Sequence, residues 1–339
     1  MVKLTTIRAP DFDLAMTLDS GQVFHWEKVG NGFVGAIGEE AVYVEQRGEI
    51  LRVNPGAREL VGNYFALDHP LAEICASFPH DPIMGTARNF CRGLRIIRQP
   101  KWECLATFIC SSMKQVAHIR QISHALRKRF GDRRKIENGA GGSRATWTGK
   151  PARVDKPGGE SINHVVHTFP SAQRLAQSSE KELRECALGY RARNLLATAQ
   201  LVASGATYLE ACSLLSDVDL RETLCELPGV GAKVANCVML FAYERLRAFP
   251  IDVWIERVLR QEYFPRKKRM TTQQLRAFSE TYFGEHGGYA QQYLFHHARM
   301  NKNAKSRAPR HRRKEVGHES PRRPCPSKAG QFVSGAAVR

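Results

Sequence analysis

Leu227-Pro228-Gly229-Val230-Gly231-Ala232-Lys233-Val234-Ala235-Asn236-Cys237 lies between two segments of helical periodicity, Asp219 to Glu226 and Ala232 to Tyr243. The stretch reads as helix, tight glycine turn, helix. Gly229 and Gly231 admit backbone conformations closed to other residues and keep the turn free of side chains, so its N–H groups can approach an anion closely. The second helix starts at the same point and aims the positive end of its dipole at whatever binds there. Such a turn holds a nucleic-acid phosphate without reading sequence.

Outward from this turn the periodicity stays helical. Leu105, Phe108, Ile109 and Ser112, then Ile119, Ile122, Leu126 and Phe130, make successive amphipathic faces from Trp102 onward, and helices resume at Ser171. Residues 99–300 are therefore expected to form an all-α domain. It is interrupted by a segment rich in Gly, Arg, Lys and Pro, about 132–163, with no periodic apolar face, which reads as an exposed insertion loop. Upstream the pattern differs. Between Val23 and Val53, short runs of Val, Ile, Phe, Tyr and Trp are punctuated by Gly30-Asn31-Gly32, Gly38-Glu39-Glu40 and Arg47-Gly48, a meander of antiparallel strands. A stripe of Leu60, Val61, Tyr64 and Phe65 and a segment from Ile83 to Leu94 then read as helices. Residues 1–98 are thus expected as an α+β N-terminal domain, an antiparallel sheet with helices. The tail 301–339, rich in Arg, Lys, Pro and Ser, is expected to be disordered.

At 339 residues and 42% hydrophobic composition the chain can bury a substantial core. Its formal charge of +18 points to a polyanionic partner, nucleic acid above all. From Asn301 on, 11 Lys/Arg stand against 2 acids, so the tail carries +9 and the rest of the chain the remaining +9. Nine cysteines are scattered singly through apolar patterns with no CxxC pair, which reads as reduced core thiols of an intracellular protein. No Cys/His cluster has zinc-ligand spacing and no four-cysteine run suggests an iron–sulfur cluster, so neither metal nor other cofactor is expected. Met1 to Pro10 lacks the apolar core of a signal peptide, and no apolar run approaches a membrane span. A monomer in a DNA-containing compartment is expected, the cytoplasm or nucleoid of a bacterium or the nucleus of a eukaryote.

The chain resembles the helix-hairpin-helix DNA glycosylases, and among them the 8-oxoguanine DNA glycosylases, from about Leu18 to Met300. In that family a lysine just after the hairpin is the nucleophile and an aspartate some twenty residues on is the second catalytic group. Lys233 occupies the first position and Asp252, in Phe249-Pro250-Ile251-Asp252-Val253-Trp254, the second, 252 − 233 = 19 residues later. Only an unprotonated amine can attack carbon, and burial beside a positive helix end favours that form in general. Attack on the sugar C1′ displaces the base and leaves a Schiff base that permits strand cleavage by β-elimination. A carboxylate at position 252 would stabilise the cationic sugar in the transition state. The same hairpin also occurs in polymerases and ligases, where a lysine after it is one more phosphate contact, and Asp252 is equally placed to cap the helix that follows.

The resemblance assigns further residues. Ser20-Gly21-Gln22 looks like the family's N-terminal motif, whose glycine carbonyl meets the lesion. Oxidation turns N7 of guanine from acceptor to donor, and only an acceptor can exploit that. Gln291 and Phe295 match the residues that hydrogen-bond and stack on the extruded base, one helix face apart by four. Cys237, four after Lys233, covers the other face. Tyr190 and Arg191 match residues near the base opposite the lesion, and Gly229, Val230 and Gly231 the phosphate-gripping turn. Three departures stand out. Met113-Lys114-Gln115 replaces a run of asparagines, and His118 replaces an arginine that reads the orphaned cytosine. Trp254 stands where a phosphate-contacting histidine is common. Gln115 remains a candidate for filling the hole left by the flipped base, and Lys114 or His118 for donating hydrogen bonds to the orphan. The resemblance implies excision of a damaged purine from double-stranded DNA with associated lyase activity. An alkylated-purine glycosylase, or a noncatalytic protein that keeps the hairpin as a clamp, are the rival readings.

Overall fold

The structure, a computed structural model, describes residues 4–111, 115–136, 164–267 and 270–307. The first layer is a five-stranded antiparallel sheet of order β1-β5-β4-β3-β2, built from β1 (Thr5–Arg8), β2 (Glu27–Val29), β3 (Gly32–Ile37), β4 (Glu40–Arg47) and β5 (Ile50–Val53). The turn glycines give each hairpin its reversal, and the registers Gly32↔Glu45 and Val44↔Val53 set the alternation. On β4, Val42 and Val44 turn to one face, against Leu14 and Leu18 of α1 (Leu14–Asp19) and Val61 of α2 (Arg58–Tyr64). Tyr43 turns to the other, a consequence of the two-residue period of a strand.

What covers that second face is a departure from the sequence reading. Within the stretch expected to be an exposed loop, β6 (Arg133–Ile136) pairs antiparallel with β7 (His164–His167), Arg133 opposite His167. Ile136 and Val166 pack with Val34 and Tyr43, so this hairpin is a lid on the sheet. Four residues with three cations carry too little apolar periodicity to announce a strand, and a single buried Ile136 anchors it. The remainder of the expected loop, 137–163, lies outside the described residues.

The helices α3 (Leu71–Ala76), α4 (Pro82–Phe90), α5 (Lys101–Ser111), α6 (Val116–Phe130), α7 (Ala172–Ala176), α8 (Glu180–Leu183), α9 (Arg191–Ala203), α10 (Asp217–Cys225), α11 (Ala232–Ala242), α12 (Val253–Val258), α13 (Thr272–Tyr282) and α14 (Gly287–Arg307) share one large core. No described helix is long and apolar enough to cross a membrane. The core does not respect a boundary at residue 98. Ile74, Phe78, Met84 and Leu94 belong to it because α14 folds back over them: the Tyr293 hydroxyl donates to the Leu94 carbonyl at 3.0 Å, and its ring meets Phe78 edge-on. Each such fully buried side chain contributes about 1.5–3 kcal/mol. The tail also departs from expectation at its start, since α14 continues through Arg307; residues 308–339 lie outside the described set. Of the cysteines, Cys225 is exposed rather than a core thiol.

Sheet and helices are tied by a buried polar cluster. His25 approaches Glu103 of α5 at 3.6 Å and its Nε2 meets the Ala36 carbonyl of β3 at 2.9 Å. Arg127 of α6 closes on Glu103, and all three side chains are at least nine-tenths buried. Removing Arg127 or Glu103 would leave the other charge buried and unpaired.

Candidate active site

The central turn is built as its sequence dictates. Ser216 caps α10, α10 ends at Cys225, and Leu227 and Val230 plug the turn into the core. Gly229 has φ +82°, and a Cβ there would sit 2.8 Å from Cβ of Asn194, so both conformation and close packing demand glycine. Gly231 differs from expectation. Its φ of −101° suits any residue, and a Cβ would meet nothing. What its small size preserves is open access to the first turn of α11, whose leading N–H groups have no partner within the helix.

Lys233 is the second residue of α11 and its amine lies 5.2 Å from the centroid of the Phe108 ring. Phe108 is stacked on Phe241, centroids 5.4 Å apart and planes 12° from parallel, so the surface under the amine is rigid. One turn further on α11, burial pushes the Cys237 thiol up, and the nearby Lys233 charge opposes that shift. Asp252 comes to the same place from the other side, at the N-cap of α12, where its carboxylate accepts from the Ile255 N–H at 2.9 Å. Burial raises its pKa, while the Ile255 N–H and the charge of Lys233 hold the shift back. The cap and the acid are thus one residue, and amine and carboxylate are close enough to feel each other's charge.

A second group of the predicted residues gathers where the N-terminal segment meets α14. Gly21 has φ +88°, and a methyl added there would sit 3.0 Å from Cε1 of Phe295 and 3.6 Å from Nη1 of Arg299. The Ser20-Gly21-Gln22 segment is pinned by buried bonds. Gln292 donates to the Ser20 carbonyl at 2.8 Å, Gln22 donates to the Arg95 carbonyl at 2.8 Å, and Gln99 donates to the Gln22 carbonyl at 3.0 Å. Gln291 on the same helix as Phe295 is 4% exposed, and its Oε1 accepts no hydrogen bond among the described residues. The Oδ1 of Asn236, between Lys233 and Cys237 on α11, is orphaned in the same way. Such acceptors are expensive to bury, which argues for a partner that arrives with the ligand.

Gly21→Ala should therefore fold with a penalty of about 1 kcal/mol or more from the positive φ. Displacement of Phe295 should lower excision of a damaged base by about tenfold under subsaturating conditions. Wild-type kcat/KM in a folded Gly21→Ala protein would show that this contact carries no weight.

The other predicted positions separate. Gln115 is the exposed N-cap position of α6 and His118 is exposed on its first turn; Lys114 lies outside the described residues. Tyr190 is 60% exposed at the start of α9. Arg191, matched with it to residues near the base opposite the lesion, is buried, its guanidinium 4.3 Å from the Tyr190 ring centroid and bonded to the Leu188 carbonyl at 3.3 Å. It supports the tyrosine from below. Trp254 carries the Arg257 guanidinium over its ring at 5.5 Å and borders a cavity of about 580 Å³ with Pro82, Ile83, Val258, Leu294 and Ala298. Lys233, Asp252 and Gln291 do not line that cavity. Phe108, Phe241, Gln292 and Asn236 were not singled out as site residues from sequence. The Gln291-Gln292 pair in an apolar helix was the available signal, but it does not say which glutamine faces which way.

The chain matches two family models, the 8-oxoguanine DNA glycosylase N-terminal domain over residues 5–105 and the HhH-GPD superfamily base excision DNA repair protein over 108–282. It is 30% identical over 305 residues to N-glycosylase/DNA lyase OGG1 of Arabidopsis thaliana, covering 84% of this chain and 77% of that one. A probable N-glycosylase/DNA lyase of Methanothermobacter thermautotrophicus is also 30% identical, over 86% of this chain and 95% of its own length. Among solved structures, the 8-oxoguanine glycosylase/lyase of Clostridium acetobutylicum in complex with DNA containing cytosine opposite 8-oxoguanine superposes with a TM-score of 0.74 at 28% identity, covering 89% of this chain and all of that one (100%). A 3-methyladenine DNA glycosylase from Archaeoglobus fulgidus shares the fold, with a TM-score of 0.66 at 18% identity. With its sheet domain and its glycine hairpin each accounted for, the chain belongs to the 8-oxoguanine DNA glycosylases of the HhH-GPD superfamily of base excision DNA repair proteins.

Proposed function

We propose that the protein excises 8-oxoguanine from double-stranded DNA and then cleaves the strand as an AP lyase. The observation that carries this reading is Lys233 at the open start of α11, its amine over the Phe108 ring, with the buried N-cap carboxylate of Asp252 near enough to feel its charge. The glycine turn holds a phosphate, and the damaged nucleotide leaves the stack at a cost of a few kcal/mol, repaid by contacts in the pocket. The free amine of Lys233 attacks C1′, the C1′–N9 bond breaks, and the base departs with the electron pair and takes up a proton. Loss of a proton from the nitrogen and opening of the sugar ring give the C1′=N Schiff base. Removal of a C2′ proton then expels the 3′ phosphate by β-elimination. Asp252, as a carboxylate, stabilises positive charge on the sugar while the bond breaks.

Recognition follows the same economy. The Gly21 carbonyl accepts from N7–H, which normal guanine lacks, and the orphaned Oε1 of Gln291 accepts from the Watson–Crick edge. Phe295 and Cys237 enclose the two faces. Gln115 and His118 lie at the end of α6 that faces the orphan base, and Tyr190, supported by Arg191, wedges beside it. The protein works in whichever compartment holds the DNA.

The test is base release from duplexes carrying 8-oxoguanine, 3-methyladenine or undamaged guanine, each with the four bases opposite. Release of 8-oxoguanine should exceed that of guanine by at least about 10²-fold, and Gln291→Ala should lower release of 8-oxoguanine by about tenfold, the worth of one lost charge-free hydrogen bond, without narrowing that ratio, because guanine presents the same Watson–Crick edge. Preferential release of the alkylated base would assign the site to the rival lesion class.

A further inference from the structure

The end of α6 and the start of β6 bring six cations together, Arg127, Lys128, Arg129, Arg133, Arg134 and Lys135, and the structure sorts them. Arg127 is buried and holds Glu103. Arg129 pairs with Glu185 at 2.5 Å, and Arg134 with Glu39 at 2.7 Å and Asp132 at 3.4 Å. Lys128, Arg133 and Lys135 are left exposed, with no carboxylate in ion-pair contact among the described residues. Glu182 lies 3.8 Å from Arg129, and Glu27 is engaged by His124 at 3.4 Å.

These three are neighbours. Arg133 and Lys135 are alternate residues of a strand whose Ile136 faces the sheet, so both stand on the outer face. His167 stands opposite Arg133 in the register, and Arg127, the neighbour of Lys128, donates to the His167 carbonyl at 3.1 Å, so the end of α6 and the strand converge on this residue, whose pKa is lowered by burial and then by the charges of Arg133 and Lys128. Like charges gathered without a counter-charge repel one another, and a polyanion relieves that.

We infer that Lys128, Arg133 and Lys135 form a second phosphate-binding ridge for duplex DNA, at the opposite end of α6 from Gln115 and His118. The inference rests on the reading above that DNA lies at the N-terminal end of that helix. Fifteen residues of α6 span about 22 Å, and with the helix running along the duplex, as the ridge requires, that is the length of six or seven base-pair steps at about 3.4 Å each. The ridge therefore meets DNA that is too far from the lesion to belong to the base pocket.

The test compares wild type with the Lys128→Ala, Arg133→Ala, Lys135→Ala triple variant. Each binds 30-base-pair and 11-base-pair duplexes, with a tetrahydrofuran abasic analogue or undamaged, over a range of salt. On the 30-mer the slope of log affinity against log salt should become shallower by about 2 to 3, near 0.9 per phosphate contact, with about a tenfold loss of affinity that is equal for damaged and undamaged DNA. On the 11-mer, whose ends reach only about 17 Å from the centre, the variant should match wild type. An unchanged slope on the 30-mer, or an equal loss on both lengths, would overturn the ridge. A wild-type protein that binds undamaged 30-mer with the predicted slope but excises nothing would remove the functional reading and leave the ridge standing.

Discussion

Asp252→Asn is expected to slow base release by about 10²- to 10³-fold while leaving DNA binding and folding nearly intact. The carboxylate does two things in the structure, and asparagine reproduces only one. As an N-cap, asparagine is about as good as aspartate, so the bond to the Ile255 N–H survives and α12 stays anchored. As a counter-charge for the sugar, asparagine is neutral, and losing one preorganised electrostatic group costs a factor of that size.

The pH behaviour follows from the same geometry. Burial raises the folded-state pKa of Asp252, so between its ordinary value and the raised one the folded protein binds more protons than the unfolded chain. Stability from this group therefore falls as pH rises through that window, and at neutral pH the ionised carboxylate is a burden that function requires. Asp252→Asn should match or exceed wild type in Tm at pH 7, with any advantage gone by about pH 3, below the ordinary aspartate value. In wild type the acid limb of base release should lie above the usual aspartate range. Single-turnover base release and thermal melting across pH read both effects, and wild-type rates in the variant would reject the catalytic role.

Lys233→Gln is the larger change. Without the amine no covalent bond to C1′ forms, so Schiff-base-dependent strand cleavage should vanish and base release should fall on the order of 10³-fold or more. The site around it should persist: Phe108 and Phe241 are held by each other, Cys237 by the core, and Asp252 by its own cap. Affinity for a duplex with an abasic analogue should change by no more than about threefold, since the glycine turn and the surface cations supply that grip. A large loss of binding with retained cleavage would recast Lys233 as a phosphate contact, the role a lysine has after the same turn elsewhere.

The parts of this site that were legible in the sequence are those whose geometry is local. The turn at Gly229, the helix behind it and the cap at Asp252 are each fixed by residues within one or two turns, and spacing alone places Cys237 above Lys233 and Phe295 above Gln291. Pairings across the chain were not legible. Gln292 reaches Ser20 over a separation of 272 residues, and no periodicity reports that. Nor does helical spacing show that Phe108 and Phe241 meet as the floor beneath the amine. Nothing in the sequence shows Arg191 buried beneath Tyr190: the turn at Ala187 and Gly189, both with positive φ, leads into α9 so that Tyr190 lies outside it. The β6–β7 hairpin escaped notice because its buried side, chiefly Ile136, is too short to register against three neighbouring cations.

Borohydride trapping on a duplex containing 8-oxoguanine, followed by proteolysis and mass mapping of the cross-linked peptide, shows whether the Lys233 amine bonds to the sugar. A single adduct is expected, on Lys233 within Gly231-Ala232-Lys233-Val234. An adduct on any other amine, or base release at the normal rate with no adduct at all, would contradict it.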